Sequence, residues 1–125
     1  MWNIVLVALG GAIGASARHL ANGLMMRLAG PSFPWGTMTV NILGSFIMGV
    51  FIEVLARRFN ASNELRLFVA TGMLGGFTTF SAFSLDFAVL FERGAILPAF
   101  GYVFASVAGS MIAIFLGLWL ARSFA

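Results

Sequence analysis

Long apolar runs dominate the hydrophobic pattern of this chain, and short polar segments divide it into four spans. The four runs cover approximately residues 3–28, 35–55, 65–91 and 96–120. Each run is long enough to cross a bilayer as a helix, which takes about 20 predominantly apolar residues. The pattern therefore predicts an all-α membrane protein with one transmembrane domain over residues 1–125.

Composition strengthens this prediction, because 61% of the residues are hydrophobic and only 9% are charged. A soluble domain has about one quarter charged residues, so most of this surface must face lipid. The net charge of +3 comes from scattered arginines, whereas nucleic-acid binding needs clustered charge, so no nucleic-acid partner is expected. Cysteine is absent, which excludes disulfide and thiolate chemistry.

The arginines give only a weak indication of orientation. The end of the bundle that holds the termini and the second loop carries Arg57, Arg58, Arg66 and Arg122. The other end carries Arg27 and Arg93, with Arg18 nearby or buried. This bias is compatible with cytoplasmic termini. It is equally compatible with insertion in both orientations, followed by antiparallel pairing. No basic residue precedes the apolar run of residues 4–17, so a cleaved signal peptide is not expected there.

Neutral polar side chains recur every four residues in two of the spans. They are Thr37, Asn41 and Ser45 in the second span, and Tyr102, Ser106 and Ser110 in the fourth. Residues four apart share one face of a helix, so each span carries a polar stripe. Such stripes either hold helices together by hydrogen bonds or line a path through the membrane.

Carboxylates are scarce where a proton-coupled pump would need one. A pump of that kind usually has a buried titratable group, and the first span and the centre of the second have none. Glu53 lies near the end of the second span, four residues before Arg57, and is expected to form an interfacial ion pair with it. Asp86 lies in the second half of the third span and is placed to face an outer vestibule.

The third span contains the cluster Gly75-Gly76-Phe77-Thr78-Thr79, which is a poor helix interior. One interpretation is a glycine-lined packing groove with a slight kink. The other is a break in mid-membrane, which frees backbone carbonyls that can hold a cation. The density of glycine and threonine favours the break.

Phe80 and Phe83 follow this cluster and lie nearly on one helix face. With 14 phenylalanines in the chain, lipid contact or ordinary packing is a strong alternative for both. The functional interpretation uses the ring edges, which carry partial positive charge. Edges can help to coordinate a small anion, whereas a fixed charge would hold it too tightly to let it leave. Arg18 either attracts anions at a pore mouth or extends to lipid headgroups.

Three stretches carry a family resemblance. Residues 10–18 (GGAIGASAR), 36–44 (GTMTVNILG) and 72–81 (GMLGGFTTFS) resemble the signature stretches of the Fluc fluoride channels, also called CrcB proteins. Length and the four-span plan agree with that family over the whole chain. The resemblance implies a fluoride-selective channel, not an enzyme. It implies passive export of fluoride from the cytoplasm through the bacterial plasma or inner membrane, which gives fluoride resistance.

The resemblance also implies an antiparallel homodimer with two pores at its interface. It makes Asn41 a pore-lining donor, and Phe80 and Phe83 the rings whose edges meet fluoride. Thr37, Tyr102, Ser106 and Ser110 form the rest of the polar track, and Arg18 lies in a vestibule. One structural sodium ion on the dimer axis is held by the backbone carbonyls of Gly75 and Thr78 from both subunits. The chain departs from the family at Ala82, where threonine is frequent, and at His19, where an aromatic residue is frequent.

Two other functions remain open from the residues alone. Small multidrug-type proton-coupled cation transporters also have four helices, but depend on a membrane carboxylate that the first span lacks. Proton-coupled uptake of a lipophilic cation would support that alternative. In a non-transporting membrane assembly subunit the polar stripes would only join helices. Loss of Asn41 or Phe80 would then lower dimer stability without changing ion flux.

Overall fold

The computed structural model describes residues 1–58 and 62–124, and these residues form helices joined by short connections. The first span is Trp2–Ala29, the second Trp35–Arg58 and the fourth Ile96–Phe124, while the third runs over residues 63–92. All four are long and apolar enough to cross a membrane. The described part of the chain contains no β-strand. The predicted all-α architecture with four spans is therefore confirmed.

Glycines with positive φ follow the first and third spans, and a serine caps the start of the third. Gly30 follows the first span with a φ of 86°, and Gly94 follows the third with a φ of 83°, a region that favours glycine. The Gly30 N–H donates to the Met26 carbonyl at 2.9 Å. At the start of the third span, Ser62 Oγ accepts from the Leu65 N–H at 3.3 Å, which caps the first turn of the helix.

The third span consists of two helical halves. Its first half, residues 63–77, begins as a short α-helix, Asn63–Leu65, and widens into a π-helix over Arg66–Leu74. It returns to α-helix at Gly75–Phe77. Its second half is the α-helix Ser81–Glu92, and residues 78–80 between the halves are not helical. The predicted break is therefore present, while nothing in the apolar pattern indicated the π-helix, whose i→i+5 bonds are rare in proteins.

Glycines hold the first span and the first half of the third span close together, and we call this contact the glycine seam. A Cβ on Gly10 would meet the Phe68 carbonyl, and one on Gly14 would meet the Met73 carbonyl. From the other side, a Cβ on Gly76 would lie 2.7 Å from the Gly11 carbonyl oxygen. Small residues let membrane helices approach to this distance. The two interpretations of the glycine-rich cluster thus both apply, since Gly76 packs in the seam and the break follows it.

The interior of the single chain is thin. Tyr102, Leu55 and Val40 are its largest completely buried side chains, whereas large apolar side chains such as Leu97 and Phe104 are mostly exposed. An apolar outer surface of this extent suits lipid or another protein chain.

At one end of the bundle Glu53 joins the second span to the fourth. It accepts from Arg57 Nε at 2.6 Å, which confirms the predicted pair, and from Arg122 Nε at 3.2 Å, a contact that the sequence did not indicate.

Candidate functional site

A groove of about 460 Å³ opens between the second, third and fourth spans and brings most of the predicted site together. From the second span it is lined by Asn41, Gly44, Ser45 and Met48; from the third by Gly75, Thr78, Thr79, Phe80 and Phe83; and from the fourth by Ser106, Val107, Ser110, Met111 and Ile114. None of these side chains is titratable. The groove thus combines neutral hydrogen-bonding groups and ring edges with apolar walls.

The two phenylalanines of the groove differ sharply in burial. Phe83 is 8% exposed and packs in the small core, whereas Phe80 is 76% exposed on the surface of the single chain. Their ring centroids lie 5.6 Å apart with an interplanar angle of 50°. The pair therefore spans the groove from its buried side to its open side.

The hydroxyl stripe of the fourth span continues beyond Phe83. Ser106 is 3% exposed, and its Oγ is buried without a hydrogen-bond partner in the described part of the chain. Most buried hydroxyls in proteins have a partner, so this atom is available to bond to water or to a bound ligand. Tyr102 is completely buried, with its ring centroid 5.1 Å from that of Phe83.

Tyr102 connects the groove to a second cavity. Its hydroxyl donates to Asp86 Oδ2 at 3.1 Å and lies within hydrogen-bonding reach of Thr37, which is 8% exposed. Thr37 and Asp86 both border a cavity of about 320 Å³ beside the loop that follows the first span. Polar groups therefore run from Ser110 past Phe83 to this cavity. The Asp86–Tyr102 bond joins residues 16 apart in two different spans, and the sequence pattern, which predicted only that Asp86 faces a vestibule, did not indicate it.

Asn41 binds the backbone at the break. Its Oδ1 accepts from the Thr79 N–H at 2.9 Å, and its Nδ2 donates to the Thr79 carbonyl at 3.1 Å. The amide therefore has one N–H left for any further partner. The sequence placed Asn41 on the polar stripe, but a contact between residues 38 apart depends on how the spans pack.

Side chains also complete the hydrogen bonding of the two helix ends at the break. Thr78 donates to the Leu74 carbonyl from both its backbone N–H and its Oγ1, each at 3.0 Å. Thr78 itself is extended, with a φ of −87° and a ψ of 159°. The Thr79 Oγ1 accepts from the Ala82 N–H at 3.2 Å, which caps the second half of the span. The break is therefore a defined conformation, not a frayed helix.

The backbone at the break suits a hard cation. In a continuous helix the Gly75 carbonyl would accept from the Thr79 N–H, but that N–H donates to Asn41. Gly75 is exposed, and it lines the groove with Thr78. Carbonyls at broken helices are ligands for sodium in transporters. One chain offers the two predicted carbonyls, too few for a complete shell, and the described residues contain no group of three acidic, cysteine or histidine side chains for a metal.

Arg18 lies apart from both cavities. It is half-buried in the first span, lines neither the groove nor the cavity beside Asp86, and forms no ion pair with a described residue. At the cavity, the basic residue is Arg93, whose Nη2 donates to the Ser32 carbonyl at 3.1 Å. The arginine that borders this cavity is therefore Arg93 and not Arg18.

Four apolar helices with a neutral polar track beside a broken helix define a multi-pass membrane protein of the channel and transporter class. Residues 5–118 match the family described as CrcB-like protein, Camphor Resistance (CrcB). The chain belongs to this family, and the predicted resemblance is confirmed.

Relatives share nearly the full length of the chain. It is 69% identical over 123 residues to a Mesorhizobium japonicum protein named fluoride-specific ion channel FluC, with 98% of each chain covered. Proteins of the same name from Chelativorans sp. and Agrobacterium fabrum are 63% and 60% identical, again with 98% of each chain covered.

Proposed function

We propose that this protein is a fluoride-specific ion channel that lets fluoride leave the cytoplasm passively and so gives fluoride resistance. The observation that carries the proposal is its 69% identity, over nearly all of both chains, to a protein of that name. The groove supports it independently, because its lining offers neutral donors and ring edges but no titratable side chain. A multi-pass protein of this kind acts in a membrane, which we take to be the bacterial plasma or inner membrane.

The groove chemistry suits a small, strongly hydrated anion. Such an ion crosses a membrane only if protein groups replace the water that it gives up. Ser106 and Ser110 offer hydroxyl donors, Asn41 offers its remaining N–H, and Phe80 and Phe83 offer positive ring edges. Because none of these groups carries a full charge, an ion held by them can also leave quickly.

A second copy of the chain completes this site in our proposal. Phe80 is 76% exposed, and the groove that it borders is open in the single chain. The weak difference in arginine content between the two ends supports an antiparallel arrangement, which needs insertion in both orientations. Two copies related in this way would form two fluoride paths at their interface.

The same pairing would bring two broken helices together. The Gly75 and Thr78 carbonyls of both copies would then supply four oxygen ligands to one structural sodium ion on the dimer axis. A bound sodium ion would neutralise the converging carbonyl dipoles and hold the two breaks in register. The freed Gly75 carbonyl supports this assignment.

Fluoride efflux from liposomes that contain the purified protein tests the proposal. The fluoride electrode should record rapid release, while chloride loaded into the same liposomes stays inside. No fluoride release from a folded, monodisperse protein would contradict the channel function and leave only the four-span architecture. Proton-coupled uptake of a lipophilic cation by the same liposomes would favour a multidrug-type transporter instead.

A further inference from the structure

The side-chain amide of Asn41 takes the place of missing peptide partners at the break in the third span. In a continuous helix the Thr79 N–H would bond to the carbonyl of residue 75, and its carbonyl to the N–H of residue 83. At the break both backbone groups bond to Asn41 instead, at 2.9 and 3.1 Å. An amide side chain can do this because it carries the same donor and acceptor as a peptide group.

We propose that Asn41 is a positioning residue, which fixes Thr79 and thereby directs the neighbouring Phe80 ring in the groove. The inference rests on the proposed channel function, since it gives Asn41 a second task at that same site. Three polar groups of Thr79 have hydrogen-bond partners. Its backbone N–H and carbonyl bond to the Asn41 amide, and its Oγ1 accepts from the Ala82 N–H. Phe80 is 76% exposed, so its own side chain has few contacts within the chain to hold it. Its direction therefore depends on the backbone that precedes it.

The same two bonds also determine what Asn41 can offer an anion. Its Oδ1 would repel an anion, but it is occupied by the Thr79 N–H. Its Nδ2 has two N–H bonds, of which one is used by the Thr79 carbonyl. The orientation of the amide is thus set by the backbone, and one donor remains. Positioning and ion contact are separate tasks of one side chain, and an experiment can separate them.

The variant Asn41→Asp makes this separation. At neutral pH a carboxylate keeps the acceptor for the Thr79 N–H but repels the Thr79 carbonyl. Once protonated, the same carboxyl group supplies one acceptor and one O–H donor, which restores both bonds to Thr79 and leaves no donor for an ion. We expect fluoride efflux about 100-fold below that of the unchanged protein at neutral pH, and a recovery of at least about tenfold as the pH falls to about 5.

Three controls accompany this measurement. The unchanged protein is measured over the same pH range, because both proteins contain the Asp86 carboxyl group that is bonded to Tyr102 beyond Phe83. Protein-free liposomes give the background of neutral HF that crosses the bilayer at acidic pH. Asn22→Asp makes the same change in the first span, at an amide whose Oδ1 has no hydrogen-bond partner in the described part of the chain, and should show no gain on acidification.

A second variant tests the bonds to Thr79 directly. Asn41→Ala should raise the hydrogen-exchange rate of the Thr79 amide by at least about tenfold. The Ser84 amide, which donates to the Phe80 carbonyl at 2.9 Å, should keep its rate. Unchanged exchange at Thr79 would overturn the inference.

Efflux through Asn41→Asp that stays low down to about pH 5, beside an active unchanged protein, would also overturn it and leave Asn41 as an ion ligand alone. An unchanged protein that releases no fluoride would instead contradict the proposed function itself.

Discussion

The two halves of the third span are held in place by different kinds of contact. The first half packs backbone against backbone in the glycine seam, where there is no room for a side chain between the helices. The second half is anchored at its start by polar side chains, chiefly Asn41 and Thr79. The comparison indicates that the seam serves stability, while the polar anchorage serves the geometry of the groove. Substitutions in the first half should therefore lower the stability of the fold, whereas substitutions in the second half should lower ion flux.

The largest expected effect is on folding, from Gly14→Leu in the seam. A side chain at this position would overlap the backbone carbonyl of Met73, which cannot move aside without separating the two helices. Overpacking typically costs about 1–3 kcal/mol, and backbone overlap should reach the upper end of that range. Size-exclusion chromatography should show loss of the monodisperse protein. Gly23→Leu in the same span is the control, because open space surrounds Gly23 and the protein should fold normally.

The next effect is on function, from Phe80→Ile at the start of the second half. We expect the fluoride efflux rate to fall about 100-fold or more while the protein stays folded, because the exposed ring contributes little to the core. Efflux and size exclusion are measured on the same sample. Phe104→Ile is the matched control, since Phe104 is also 76% exposed but does not line the groove. Full efflux through Phe80→Ile would remove Phe80 from the ion path.

Ser106→Ala should have an intermediate effect. The buried Oγ has no partner within the described part of the chain, so its removal breaks no internal hydrogen bond and should leave the melting temperature unchanged. If the hydroxyl replaces water around the ion, efflux should fall about tenfold. Ser84→Ala is the comparison, because its hydroxyl already donates to the carbonyl of Phe80, the residue that precedes its helix. A lower melting temperature with normal efflux would make Ser106 a structural residue instead.

The smallest effect is expected from Thr78→Ser. Serine keeps both the backbone carbonyl proposed for sodium and a hydroxyl for the bond to the Leu74 carbonyl. Only the methyl group that faces Gly44 is lost. Efflux should therefore stay within about twofold of the unchanged protein, and sodium should still raise the melting temperature. Loss of the sodium response would show that the side chain, and not the carbonyl, matters at this position.

The sequence predicted those features that depend on one segment at a time. Four long apolar runs predicted the four spans, and the cluster around Gly75 predicted the break. Features that join distant segments could not be predicted in this way. The pairing of Asn41 with Thr79 and of Arg122 with Glu53 connects residues 38 and 69 apart, and periodicity on one helix says nothing about the facing helix.

The π-helix escaped prediction for another reason. Periodicity and composition report which residues are apolar and which favour a helix, but π and α geometry differ only in which carbonyl each N–H selects. The Gly75 N–H, for example, donates to the carbonyl of Ala70, five residues earlier in the chain, and this part of the helix packs in the glycine seam. The π-helix therefore coincides with a tertiary contact that the sequence pattern does not report.

The open groove also affects how the protein interacts with lipid in the bilayer. Its lining includes Met48, Val107, Met111 and Ile114, so the single chain presents a partly apolar groove to the surrounding lipid. A lipid tail or a detergent molecule can occupy such a groove and compete with a second copy for it. If two copies pair over the groove as proposed, their assembly is an exchange of lipid for protein. Its equilibrium depends on the ratio of protein to lipid, and on how well the available acyl chains fit, as much as on the affinity between the chains.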